Sequence, residues 1–151
     1  MRRRASVPHA SGFTLAEILT VVVVVAVLAA VAVPLWRVHL LRVRRADAIS
    51  ALIAVQNAED QYFGRNARYA SGTQLTAPAP GGLGLGSRSG RGSYDIEVRS
   101  SDGLAFTAVA RANRSGGQAD DTRCVEFSID QNGMRRAVDG TGQDRSADCW
   151  H

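Results

Sequence analysis

The hydrophobic pattern of this chain changes character at three places, and each change predicts a different kind of structure. From Ile18 to Val33 the sequence reads ILTVVVVVAVLAAVAV, and with Pro34, Leu35 and Trp36 it makes 19 residues without a charge. Many of these residues are β-branched and would favour a strand in water. In lipid the backbone must bond within its own segment, so a helix is the workable form. A helix from Phe13 to Trp36 spans roughly 36 Å, enough to cross a hydrocarbon core of about 30 Å. The competing reading, a core helix of a soluble protein, fails because no other helix in the chain is available to enclose it.

Beyond Trp36 the pattern becomes amphipathic. Ala46 to Phe63 contains no Gly or Pro, and Leu41, Ala48, Leu52, Val55 and Tyr62 recur at helical spacings. Asp47, Gln56, Glu59 and Asp60 are read as polar positions around that stripe, and Gly64 as the stop. Residues 37–64 are therefore expected to continue the helix of residues 13–36. Residues 65–92 are rich in Gly, Ser, Pro and Ala, and read as a connecting loop with weak internal structure.

Alternation then sets in. Tyr94, Ile96 and Val98 alternate with Asp95, Glu97 and Arg99, which predicts a half-buried strand over Ser93–Arg99. Ser101-Asp102-Gly103 supplies a turn, with Leu104–Arg111 as the hairpin partner. Val125, Phe127 and Ile129 mark a third strand over Cys124–Asp130, and Gln131-Asn132-Gly133 turns the chain into a short edge strand over Met134–Val138. Three or four antiparallel strands with one apolar face need a cover, and the helical stripe provides one. The fold class is α+β: a long N-terminal helix, membrane-spanning in its first half, packed on a 3–4 stranded antiparallel sheet over residues 93–151.

Charge changes this picture at the N-terminus. The sequence has 18 Arg and no Lys, against 14 Asp and Glu. Arg2, Arg3 and Arg4 precede the apolar run in MRRRASVPHASG, and without them 15 Arg face 14 acids. The basic balance is then weak support for nucleic-acid binding. A secretory signal peptide places its cleavage site after the apolar stretch, which would discard it. A cut at Gly12 would instead keep it as the new N-terminus.

Here the sequence resembles a known family. GFTLAE, Gly12 to Glu17, closely resembles the processing motif of type IV prepilins, and the short arginine-bearing leader (residues 1–12), the apolar run and Pro34 fit the same pattern. The resemblance implies cleavage after Gly12 by a prepilin peptidase, N-methylation of Phe13, and insertion in the bacterial inner membrane in a single pass with the head outside the cytoplasm. It further implies transfer by an inner-membrane assembly platform into an extracellular fibre of other pilin subunits. No cofactor is implied. Glu17 is costly in an apolar segment, on the order of 2.5–3.5 kcal/mol at mid-helix and less near an end. The helix dipole returns only about 0.3–1 kcal/mol. In pilins this glutamate pairs with the position-one amine of a neighbouring subunit, here that of Phe13. Pro34 removes a helix donor, so a kink or local melting is expected near Ala30 to Pro34. The cluster Arg37, Arg42, Arg44 and Arg45 is read either as an interfacial anchor to phospholipid head groups or as a contact with acidic groups of neighbouring subunits.

Cys124 and Cys149 would close a loop of about 25 residues, stabilising a small head by roughly 3–4 kcal/mol if paired. Pairing requires an oxidising compartment. Metal binding is the alternative, although two cysteines lack the four-ligand spacing of a zinc site. The order Cys124, Asp130, Gly133, Cys149, Trp150 is similar to PilE-type pilins, which staple a C-terminal segment to the sheet.

Catalysis finds no motif: no nucleophile–base spacing, metal cluster or cofactor loop is present. The paired acids Asp120-Asp121 and Glu59-Asp60 read as solvated surface. The expected role is structural, as a pilin of the PilE type or a minor pilin serving adhesion, twitching motility or DNA uptake. A pseudopilin of a type II secretion system is the alternative. Arg88, Arg91, Arg111 and Arg114 are the candidates for a basic patch, though aromatic residues are sparse among them.

Overall fold

A computed structural model describes residues 13–115 and 117–150, so the leader and Gly12 lie outside the described residues. The chain divides into two compact units, Met1–Val38 and His39–His151. Helix α1 (Leu15–Asn66) begins in the first and ends in the second.

In the first unit, Thr14 starts the helix. Its carbonyl accepts the N–H groups of Glu17 (3.1 Å) and Ile18 (3.2 Å), and its hydroxyl also accepts from the Glu17 N–H (3.3 Å). The bonds to the Glu17 N–H satisfy a donor that every helix start leaves open, and the Ile18 bond is the first of the regular helical ladder. All described residues from Phe13 to Val38 are exposed, in a stretch whose mean hydropathy reaches 3.0. The helix is unbroken through Pro34, so the expected local melting is corrected. Proline removes a single N–H, and the ladder on either side still holds the backbone.

The second unit is the head. Four strands, β1 (Tyr94–Arg99), β2 (Thr107–Ala112), β3 (Glu126–Asp130) and β4 (Arg135–Val138), form an antiparallel sheet in the order β1-β2-β3-β4. The register pairs Ile96 with Ala110, Ala110 with Phe127, and Phe127 with Ala137. These four residues are buried on one face, and the cover is the α1 stripe of Ala48, Leu52, Val55, Glu59 and Tyr62. Glu59 thus belongs to the stripe, with spacings of 4, 3, 4 and 3 residues along it. Its assignment to the polar surroundings is corrected. Gly64 does not stop the helix either. The buried Tyr62 anchors the last turn, and the end comes where Ala67 takes a φ of 53° and donates to the Phe63 carbonyl (2.8 Å).

Residues 65–92 are more structured than their composition suggests, which is a further correction. Leu75 and Leu83 enter the core. Gln74, in a 3-10 turn over Gly72–Gln74, donates to the Tyr62 hydroxyl (2.7 Å) and accepts from the Ser71 N–H (2.8 Å). Backbone bonds Leu83 to Gln74 (2.9 Å), Gly84 to Ala77 (2.8 Å) and Leu85 to Leu75 (2.9 Å) fold the segment on itself. Gly82 is required here, because a Cβ would collide with the carbonyl oxygens of Gln74 and Ala77.

Beyond β4, a turn of helix α2 (Ser146–Cys149), absent from the sequence reading, carries Cys149 to Cys124. The two are joined in a disulfide with Cα atoms 6.0 Å apart. Trp150 then donates to the Arg136 carbonyl (2.9 Å), meets the Phe127 ring edge-on at 5.8 Å and lies under the Arg135 guanidinium.

Candidate functional site

The described residues offer no group of three or more metal-ligating side chains. The chemistry-bearing features are the N-terminal end of α1, a buried charge network under the sheet, and two arginine-lined surfaces.

At the N-terminal end, Phe13 is 80% exposed and Glu17 lies one turn further on. Glu17 makes no ion pair among the described residues. Among the described residues this carboxylate has only the helix start to set against its charge. Pro34 sits in α1 among exposed apolar residues. Of the residues proposed for processing and assembly, Gly12 lies outside the described residues.

The buried network was not foreseen. Asp121, in the loop between β2 and β3, is 1% exposed at its side chain. Arg45 of α1 grips it with both ends of the guanidinium, Nε to Oδ2 at 2.6 Å and Nη2 to Oδ1 at 2.8 Å. Gln118 donates to Asp121 (2.8 Å) and to the Tyr94 hydroxyl (2.7 Å), which in turn donates to the Cys124 carbonyl (3.2 Å). The Cys124 N–H closes the ring on Asp121 Oδ1 (3.2 Å). The hydrogen bond to Asp121 raises the Arg45 pKa further above its ordinary value, and burial raises that of the Tyr94 hydroxyl. This arrangement fastens α1 to the loop that leads into the disulfide. Asp121 is corrected from surface to core, and so is the other half-pair, Glu59. Glu59 Oε2 accepts the Ala70 N–H (2.8 Å) while Oε1 is buried without a partner among the described residues. Desolvation raises its pKa above the usual glutamate range.

The outer face of the sheet is a chain of ion pairs. Glu97 meets Arg99 (2.9 Å) and Arg111 (3.6 Å), and Arg111 meets Glu126 (2.7 Å). Arg88, Arg111 and Arg114 do line one groove, together with Asp95 and Glu97. Arg88 is paired with Asp95 at 3.1 Å. Arg91 is not among the groove's lining residues, and its backbone N–H donates to the Asp47 carboxylate (3.2 Å). The surface is therefore mixed in charge. A second surface gathers Arg42, Arg45 and Arg123 beside Asp148 and Cys149.

Comparison with known proteins identifies the arrangement. Residues 34–128, well over half of the chain, match the family model described as type IV minor pilin ComP, DNA uptake sequence receptor. The chain belongs to this type IV minor pilin family. Residues 8–33 of the pilin match the prokaryotic N-terminal methylation motif. The type IV major pilin protein PilA of Myxococcus xanthus is 31% identical over 103 residues, covering 68% of this chain and 47% of that protein. The pilin thus spans about half the length of this curated relative. Its fold is similar to the crystal structure of the non-core minor pilin PilV of Neisseria meningitidis, with a TM-score of 0.51 at 13% identity over 70% of this chain and 93% of that one.

Proposed function

We propose that this pilin is made as a precursor held in the inner membrane by the apolar part of α1, processed between Gly12 and Phe13, and packed by the same helix into a type IV pilus. The observation that carries the reading is that residues 13–36 are wholly exposed, apolar and interrupted by one charge, Glu17. Such a surface must be covered by lipid before assembly and by other helices after it. In the fibre, Glu17 pairs with the methylated amine of Phe13 on a neighbouring subunit, and this pair sets the axial register. Prepilin peptidase and an inner-membrane assembly platform are the partners this route requires. The head faces outward, with residues 65–92 and the Cys124–Cys149 region at the surface.

Replacing Glu17 by Ala tests the assignment. Membrane insertion is expected to be unchanged, because an apolar residue replaces a costly charge, while sheared-fibre yield falls at least tenfold. Normal fibre yield from the mutant would sink the register role.

The family description favours a second role for the head in DNA uptake. The Arg88, Arg111 and Arg114 groove is the surface for it, with affinity limited by Asp95, Glu97 and Glu126. A gel-shift titration across salt concentrations tests this. Binding that weakens steeply with salt, and drops for Arg114→Gln, supports it; a salt-insensitive or unchanged response removes it.

A further inference from the structure

The second arginine surface is separate from the outer-face groove. It is an open cavity of about 440 Å³ lined by Arg42, Arg45, Arg123, Asp148 and Cys149. Three distant parts of the chain meet there: α1, the residue before the first cysteine, and α2. The Cys124–Cys149 disulfide holds the last two together. Arg42 is exposed and makes no ion pair or side-chain hydrogen bond among the described residues. Arg45 commits Nε and Nη2 to Asp121, which leaves Nη1 without a protein acceptor among the described residues. Arg123 commits Nη2 to Asp148 at 3.2 Å. Three guanidinium groups thus stand against two carboxylates, Asp121 and Asp148. One positive charge and several planar N–H donors are left over, which suits the single negative charge of a phosphodiester.

The source of that phosphate follows from the position in the chain. Arg42 lies six residues after Trp36, the last residue of the uncharged run. In a membrane-held precursor, residues just beyond an apolar span lie at the level of the lipid head groups. We infer that Arg42, Arg45 and Arg123 form a binding site for the phosphate of an anionic phospholipid, occupied while the precursor waits in the membrane. The inference rests on the membrane-held precursor of the proposed function. It goes beyond a general basic anchor, because Arg123 reaches the site only through the folded head and its disulfide.

The test uses the full processed chain in maltoside micelles doped with phosphatidylglycerol or phosphatidylcholine, with bound lipid counted by native mass spectrometry. Phosphatidylglycerol is expected to be retained at least fivefold over phosphatidylcholine. Arg42→Gln and Arg123→Gln should each lower that retention about fivefold, the scale of one arginine near a charged lipid surface. Both side chains are exposed enough that neither change unfolds the head. Arg37→Gln removes the same charge from outside the cavity and should leave retention within twofold. Equal retention of the two lipids, or an Arg37→Gln loss as large as the other two, overturns the site. Displacement of the lipid by millimolar glycerol phosphate reassigns it to a soluble phosphate and overturns the lipid source. Displacement by short duplex DNA in place of any lipid preference overturns it likewise. The intact mass from the same spectra reports the processed N-terminus separately, so a failed lipid site and a failed precursor reading are told apart.

Discussion

At the scale of single residues, Glu59 couples the stability of the head to pH. Its pKa is raised from 4.5, first by burial, with one oxygen left unpaired among the described residues. The folded head therefore holds this proton to higher pH than the unfolded chain does. Stability from this residue is greatest below 4.5 and falls as pH rises through the window between 4.5 and the raised folded value. Asp139 and Asp144 act in the opposite sense. Hydrogen bonds from Thr141 and Ser146, respectively, hold their pKa values below 3.8, so their contribution is present above that value and is lost in acid. Denaturant titrations at several pH values should show Glu59→Gln abolishing the fall above 4.5 while leaving the acid limb unchanged. A curve that keeps its neutral-side slope in the mutant would show that another group carries it. Gly82 is the matching steric case. Gly82→Ala should destabilise the head by about 1–3 kcal/mol, since backbone carbonyls cannot yield as a flexible side chain can. A melting temperature within a degree of the parent would contradict that close approach.

At the scale of elements, the bond between α1 and the β2–β3 loop is an ion pair with one buried partner. Removing Asp121 leaves Arg45 half-buried without its carboxylate and strips acceptors from Gln118 and the Cys124 N–H. Asp121→Ala is expected to cost about 3 kcal/mol, the low end for a broken buried pair because Arg45 keeps partial access to water. Chemical unfolding of the full chain in micelles, followed by the near-ultraviolet signal of Tyr94 and Trp150, measures it. A loss below about 1 kcal/mol would place this pair among ordinary surface contacts. The element pattern also explains why the long segment of residues 65–92 is ordered. Its glycines and prolines leave it without periodic structure, yet Leu75 and Leu83 are drawn into the core and Gln74 reaches Tyr62.

At the scale of the whole molecule, the two units carry two physical requirements, apolar cover for residues 13–36 and aqueous surroundings for the head. The expected product in the native host is a chain that begins at N-methyl-Phe13 and is two hydrogens lighter for the Cys124–Cys149 disulfide. Intact mass and N-terminal sequencing of membrane-extracted protein decide this. A start at Met1 or Arg2 would leave an anchored protein without the processing on which fibre assembly depends.

The amino-acid pattern by itself determined the long helix, the four strands within three residues, and the processing motif. The helix and strands rest on local periodicity and on a charge-free run whose length matches a bilayer, and the processing motif on the resemblance of Gly12–Glu17 to type IV prepilins. It also placed Cys124 and Cys149 at the ends of one loop. Tertiary structure alone decided which charges are buried. Asp121 and Arg45 are 76 positions apart. Neither has a local signature, because the partner that makes burial tolerable comes from another element. Glu59 was half legible: its spacing from Val55 and Tyr62 fits the buried stripe, but its charge argues for solvent. Only the Ala70 N–H, brought back by the ordered loop, makes that position acceptable for a carboxyl. The meeting of Arg42 with Arg123 is of the same kind, since the folded head and its disulfide bring together residues that no sequence spacing connects.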